Sequence, residues 1–244
     1  VLLVLYAVAN ALFHAEVLLN FQGGEEAGIH GGLAVIIMII TVMAGRVVGF
    51  FIERGLDSKV RTYPWAEHLA IWGTALFMIC QFFQFKPGLT VIVVIAASGH
   101  LVRLVGWYNS EIWRVPLLWV LYMGYIWLFA GFVLTALELN GIIAETLAIH
   151  TFTVGTIGVM TLGMMARVAL GHTGREMKSH PAINISFLLV NLAMVTRVVF
   201  PLIFPEQYLR WIQITGWLWI LAFVIFCFIY VPILIKPRVD GRPG

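Results

Sequence analysis

The chain has 244 residues, of which 61% are apolar and only 11% are charged, and its mean hydropathy is +0.96. Soluble domains are about half apolar and a quarter charged, so this composition excludes an ordinary soluble globular domain and a disordered chain. The two cysteines, Cys80 and Cys227, lie inside apolar runs, which argues against a disulfide-stabilised fold. A net charge of +3 is small, and nothing in the sequence indicates a nucleic-acid partner. The class that remains is a membrane protein that crosses the lipid bilayer several times.

Eight stretches are long and apolar enough to cross a bilayer, which takes about 20 helical residues. A transmembrane β-barrel would need alternating segments of about ten residues, and these runs are too long and too uniformly apolar for that. The sequence therefore predicts an all-α, polytopic transmembrane helix bundle. We expect the spans at Val1–Asn20, Ile29–Ile52, Trp65–Phe85, Gly88–Asn109, Leu117–Glu138, Glu145–Leu170, Ala182–Phe204 and Gln207–Ile235.

We expect residues 1–244 to form a single transmembrane helical domain. The second span begins Ile29-His30 and ends MAGRV at residues 43–47, and the sixth begins Ile149-His150 and ends MMARV at residues 164–168. The offset of about 120 residues equals four spans, which suggests a four-helix repeat in which the second and sixth spans are equivalent. Chance similarity between apolar helices is the alternative. Because the chain starts within an apolar run, we also expect it to be part of a longer protein.

The lysines and arginines alternate between the two ends of the predicted spans. Twelve of the 15 fall on one side: Arg46, Arg54, Lys59, Arg61, Arg103, Arg114, Arg167, Arg175, Lys178, Lys236, Arg238 and Arg242. The other side receives Lys86, Arg197 and Arg210, together with several glutamates. Cytoplasmic loops carry the excess of basic residues, so we expect both ends of the chain in the cytoplasm.

Three histidines are predicted to lie near the outer ends of their spans. His14 is about six residues from the end of the first span, His30 opens the second, and His150 is the sixth residue of the sixth. Arg197, the sixteenth residue of a span rising from the cytoplasm, reaches the same depth. Neutral imidazole binds iron, copper and zinc, and an arginine can pair with a haem propionate. These four residues are therefore our candidate cofactor site, although each histidine could instead bond a carbonyl group.

His100 is a further candidate ligand, since it lies deeper in its span and shares a helix face with Arg103 at i, i+3 spacing. Several other kinds of site lack their motifs. No span carries two histidines 13–14 residues apart, as a dihaem cytochrome b would, and there is no adjacent His-His pair, Cys-x-x-Cys, H-E-x-x-H or phosphate-binding glycine loop. Hydrolysis and nucleotide chemistry therefore have no support.

Three segments together resemble the NnrS family of bacterial membrane proteins. GRVVGFFIERGL at residues 45–56 is similar to its G-R-x-I-P-x-F-T-x-R-x-L signature, and PLLWVLYMGYIWL at residues 116–128 is similar to its P-L-L-W-x-L-H-x-G-Y-x-W-L signature. The longest likeness is HTFTVGTIGVMTLGMMARVALGHTGR at residues 150–175. The resemblance covers most of the chain and implies a protein lacking some N-terminal spans, because family members are commonly longer at that end.

The resemblance implies haem b and copper as cofactors and a role in the nitric oxide response, denitrification or the maturation of respiratory metal centres. The positions that match the family signatures include Arg46, His150, Arg167, Gly171, His172 and Arg175. We therefore add Arg46 and Arg167 as candidate cofactor-binding residues and His172 as a candidate metal ligand beside His14, His30, His100 and His150. The chain departs from the signatures at Gly49, which replaces a proline, at Ile52, which replaces a threonine, and at Tyr122, which stands where members often have histidine.

Two other interpretations fit the same sequence. A transporter would have a ligand cavity near the middle of the membrane and no chromophore, and a four-helix repeat with glycine-rich helices is typical of such proteins. A structural subunit of a respiratory membrane complex would have no chemistry of its own. The sequence identifies no general base, nucleophile or open metal position, so it does not decide whether the protein is an enzyme.

Overall fold

The computed structural model describes residues 1–19 and 22–241, which contain helices and no β-strand, as the predicted all-α bundle requires. The long helices are α1 (Leu2–Leu19), α2 (Gly24–Leu56), α3 (Pro64–Phe83), α4 (Leu89–Trp107), α5 (Pro116–Leu139), α6 (Glu145–His172), α7 (Pro181–Ile203) and α8 (Tyr208–Leu234). In this described part of the chain, α2 to α8 are long and apolar enough to cross a bilayer, and α1 is a shorter apolar helix. The predicted span end at Asn20 and the basic residue Arg242 lie outside the described residues.

The helix boundaries follow from capping residues more than from hydropathy. α2 has 33 residues, about 50 Å at 1.5 Å per residue, so it extends well beyond a hydrocarbon core of about 30 Å. It ends where Asp57 adopts a left-handed conformation with a φ of 46° and donates its N–H to the carbonyl of Glu53. Pro116 and Pro181 each occupy the first position of a helix, where the missing N–H is harmless. The hydropathy-based spans were therefore slightly too short at these ends.

Contacts divide the chain into two compact units. Unit 1 consists of Val1–Tyr108 and Leu128–Ala148. Within it, α1 packs on α2, α2 on α3 and α3 on α4. The backbones of α3 and α4 approach closely, because a Cβ added at Gly99 would overlap the backbone of Ala70 and one added at Gly73 would lie 2.8 Å from Cα of Ala96.

Unit 2 consists of Asn109–Trp127 and Ile149–Gly244. Within it, α8 packs on α7, and α6 contacts both. Hydroxyl groups join α7 to α8 at two levels: Thr196 and Thr215 share a hydrogen bond of 2.9 Å, and Ser186 donates to the carbonyl of Ala222 at 2.6 Å. Such interhelical bonds stabilise membrane helices, where no water competes for the groups. The second span lies in unit 1, the sixth span lies in unit 2 from Ile149 onward, and their equivalence stays a prediction.

Two helices of unit 2 contain wider π-helical segments. In α6 the segment is Thr151–Gly158, and in α7 it is Val195–Val199. A π segment adds residues to a turn and is often found at functional sites. The first segment directly follows His150, and the second contains Arg197.

Candidate functional site

His150 and Arg197 form a direct side-chain contact in unit 2. Nη2 of Arg197 lies 2.5 Å from Nε2 of His150, and both residues are half-buried. Nη1 of Arg197 donates to the hydroxyl of Tyr208 at 3.3 Å, and the guanidinium carbon lies 5.6 Å from the centre of the Tyr208 ring. The sequence predicted that His150 and Arg197 reach the same depth, and the structure brings this pair together. Nothing in the sequence analysis pointed to Tyr208.

The local sequence explains why Arg197 occupies a π segment. Pro201 lacks an N–H group and therefore cannot donate to the carbonyl of Arg197 four residues earlier, as an α-helix would require. The chain instead forms longer bonds, among them one from the N–H of Phe200 to the carbonyl of Val195. The segment Thr151–Gly158 combines β-branched residues with two glycines, all of which favour an α-helix less than alanine or leucine does.

The hydrogen bonds around His150 define its tautomer. A guanidinium can only donate, so Nε2 of His150 must accept from Arg197, and the ring proton lies on Nδ1. Nδ1 is 3.4 Å from the hydroxyl oxygen of Thr153, which in turn donates to the carbonyl of Ile149 at 3.1 Å. The ring is therefore neutral, and its lone pair faces the guanidinium.

Trp127 fixes the π segment of α6 against α7. Its Nε1 donates to the side-chain oxygen of Asn191 at 2.9 Å, and its Cβ occupies the space beside Gly155, where an added Cβ would come within 2.8 Å. Gly155 thus lets the backbone of α6 approach the indole closely. This contact supports the turn that follows His150.

His30 and His14 belong to unit 1 and have other neighbours. Nε2 of His30 is 3.4 Å from a carboxylate oxygen of Glu145. The two residues line a polar cavity of about 90 Å³, enough for several water molecules, together with Glu26, Gln81, Gln84, Lys86 and Glu138. His14 is exposed, and its ring meets the edge of Phe13 at a centroid distance of 5.4 Å.

His100 and Arg103 are buried in the middle of unit 1. Nε2 of His100 lies 3.1 Å from the hydroxyl of Thr74, and its ring stacks on Phe132 at a centroid distance of 5.0 Å. Arg103 is only 3% exposed and forms an ion pair with Glu67, whose two carboxylate oxygens are 2.9 and 2.5 Å from the guanidinium nitrogens. No motif in the sequence pairs Glu67 with Arg103. The signal that could have found it is the general one that an arginine within a membrane needs an acidic partner.

The remaining candidates lie apart from these clusters. Arg46 and the ring of His172 are exposed, and the carbonyl of His172 accepts a hydrogen bond of 2.8 Å from Arg238. Arg167 is buried in α6. Tyr122, at the position where family members often have histidine, is buried and meets the edge of Trp113 at a centroid distance of 6.0 Å.

The donor groups can be compared with those that a haem or a metal ion requires. In residues 1–19 and 22–241, no three His, Cys, Asp or Glu side chains come together to hold a metal ion. A haem needs less, namely one or two axial nitrogens and a cation for its propionates. The His150–Arg197 pair supplies one nitrogen and one guanidinium, so its chemistry fits a haem better than a copper ion.

A family model described as NnrS protein matches residues 1–238 of the chain. No curated protein and no solved structure matches the chain.

Proposed function

The chain belongs to the NnrS family, and we propose that it is a haem-binding integral membrane protein that acts in the nitric oxide response. The observation that carries this proposal is the contact between His150, which directly precedes the π segment of α6, and Arg197, which lies in the π segment of α7. His150 offers a nitrogen that would bind haem iron, and Arg197 offers a cation that would neutralise an anionic group of the cofactor.

His150 would hold the iron through Nε2, and Arg197 would pair with a propionate. The lone pair of Nε2 now accepts a hydrogen bond from Arg197. Arg197 would donate to the propionate in place of Nε2, because a carboxylate oxygen accepts the same donor hydrogens, and Nε2 would then be available to the iron. The N–H at Nδ1 of His150 would still donate to the hydroxyl of Thr153, which keeps the ring in the required tautomer. Haem supplies a redox-active iron that binds small gases such as nitric oxide.

The absorption spectrum of the purified full chain tests this proposal. We expect a Soret band, a reduced-minus-oxidised difference spectrum, and a change when nitric oxide is added to the reduced protein. Metal analysis of the same sample measures iron and copper. A preparation without a Soret band or stoichiometric iron would overturn haem binding, and substrate-dependent flux through such a protein would favour the transporter.

Variants locate the site. We expect His150→Ala to lower haem occupancy about tenfold and Arg197→Gln to lower it severalfold, because each removes one of the two groups that hold the cofactor. His68→Ala is the matched control, since His68 is exposed and lies far along the chain in α3. The same measurement on His14→Ala, His30→Ala and His100→Ala tests the other predicted ligands. Unchanged occupancy in His150→Ala would remove this site.

We also propose that the protein lies in the inner membrane and that the basic ends of its helices are on the cytoplasmic side. The distribution of lysine and arginine favours this orientation. Single Lys59→Cys and Lys86→Cys variants test this orientation in intact cells with a membrane-impermeant maleimide, in a background without Cys80 and Cys227. Both lysines are exposed, and they lie in successive loops. We expect labelling at position 86 only, and labelling at position 59 only would reverse the orientation.

A further inference from the structure

An open cavity of about 680 Å³ lies in unit 2, between the loop that joins α6 to α7 and the last turns of α8. Its two sides differ in chemistry. The loop contributes Arg175, Lys178, Ser179 and His180, and α8 contributes Phe228, Ile229 and Ile233. A basic side and an apolar side within one cavity suit a ligand that has an anionic head and a hydrocarbon tail.

Arg175 carries a positive charge that its surroundings do not fully pair, which favours an anion in this cavity. Its Nη1 atom is buried and has no hydrogen-bond partner among the described residues. A charged donor that is removed from water and left unpaired is unfavourable, so the guanidinium of Arg175 gains from an anion that reaches it from the cavity. Lys178, which is exposed, adds a second positive charge to the same side, against the single negative charge of the exposed Glu176.

Within the described part of the C-terminal tail, up to residue 241, no group forms a hydrogen bond with Nη1 of Arg175. The N–H of Val239 donates to the carbonyl of Thr173 at 3.2 Å, which holds the tail beside the loop. The carboxylate of Asp240 is bound by two nitrogens of Arg238, at 2.9 and 2.6 Å. This hydrogen bonding to Asp240 raises the pKa of Arg238 above its ordinary value. The acidic group of the tail is therefore paired with the arginine of the tail.

The apolar side of the cavity continues onto an exposed apolar surface of α8. In the most apolar stretch of this last span, only 17% of the residues are buried within the protein. Phe228 itself is 83% exposed. An acyl chain lying along Phe228, Ile229 and Ile233 would remain in hydrocarbon while its headgroup reached the loop. Basic pockets at the ends of membrane helices bind anionic lipid headgroups in this way.

From these observations we propose that unit 2 binds one anionic phospholipid. Its phosphodiester accepts hydrogen bonds from the guanidinium of Arg175 and from Lys178, and one acyl chain follows α8. This site is separate from the His150–Arg197 pair, so it does not depend on haem binding.

Native mass spectrometry of the delipidated full chain tests the proposal, with phosphatidylglycerol and phosphatidylcholine as probes. We expect one phosphatidylglycerol to be retained at least fivefold more strongly than phosphatidylcholine. Lys178→Ala should weaken its binding about fivefold, as expected for one cation near a lipid surface. Arg175→Gln should weaken it about tenfold, because it removes a charge-assisted bond. Lys59→Ala is the matched control, as an exposed lysine outside the cavity whose removal changes the net charge equally.

Each alternative outcome overturns a stated part of the proposal. Equal loss in Lys59→Ala and Lys178→Ala would mean that the lipid binds by net charge without a defined site. Displacement of the lipid by millimolar inorganic phosphate would mean that the cavity takes a free phosphate and that the apolar side is not used. Retention that is unchanged in both cavity variants would remove the site. If Arg175→Gln fails to fold, Lys178→Ala alone decides the result.

Discussion

Gly45 of α2 lies directly against the guanidinium of Arg103 of α4. A Cβ added at Gly45 would be 3.1 Å from Nη2 and 3.2 Å from the central carbon of that guanidinium. Arg103 cannot easily move aside, because it is bonded to Glu67 and, at 3.0 Å, to the carbonyl of Thr41. Three helices of unit 1 therefore meet at one arginine, and the missing side chain of Gly45 provides the space for it.

We expect Gly45→Ala to lower the free energy of unfolding by about 1 kcal/mol, since the added methyl group overpacks a fixed neighbour. The measurement is the midpoint of thermal unfolding in detergent. Gly216→Ala in α8 is the matched control, because nothing lies within 4 Å of a Cβ added there. If the Gly45 variant is as stable as the Gly216 variant, Arg103 moves aside to accommodate the added methyl group.

The ion pair between Glu67 and Arg103 gives a second prediction. Glu67→Gln should destabilise the protein by about 2 kcal/mol, less than the 3–5 kcal/mol typical of a fully buried pair, because the Glu67 side chain is 30% exposed. Replacing both partners, as Glu67→Leu with Arg103→Met, should recover much of the loss. In the control Glu111→Gln, which breaks an exposed pair with Arg114, we expect a change below about 0.5 kcal/mol. Additive effects of the two substitutions at 67 and 103 would contradict a coupled pair.

A third prediction concerns the indole of Trp127. Trp127→Phe keeps the contact with Gly155 but removes the hydrogen bond to Asn191, so we expect a loss of about 1 kcal/mol. Trp217→Phe serves as the control, since Trp217 is 72% exposed. Chemical denaturation followed by tryptophan fluorescence measures both. Equal effects of the two changes would mean that the hydrogen bond contributes nothing.

A fourth prediction separates stability from the proposed function. Pro201→Ala restores an N–H group that can donate to the carbonyl of Arg197, which allows the π segment of α7 to close into an α-helix. Arg197 would then turn away from His150. We expect thermal stability to be equal or higher and haem occupancy to fall severalfold. Pro205→Ala, in the exposed turn before α8, should leave occupancy unchanged. Full occupancy in the Pro201 variant would show that Arg197 does not depend on the π segment.

The helices were predictable from the sequence because long apolar runs in this composition have no other stable form. Their ends were not, since α2 continues through Glu53 and Arg54 to the left-handed Asp57, where hydropathy carries no information. The burial of Arg103 against Glu67 was not predictable either, because it depends on how α3 and α4 are rotated against each other. Depth along a span indicated that His150 and Arg197 could meet. The tautomer of His150 and the contact with Tyr208 required coordinates, because both depend on rotation about the helix axis.

The π segments have a consequence for how related chains should be compared. A regular helix turns by 100° per residue, whereas a π segment turns by less. The side chains of α6 after Gly158 therefore point in directions that differ from those extrapolated from Glu145 along a regular helix. A helical wheel drawn continuously from Glu145 to His172 therefore assigns the wrong lipid-facing side to one half of the helix. Each half needs a wheel of its own, and a relative that lacks one residue within Thr151–Gly158 could straighten this turn and keep both halves aligned.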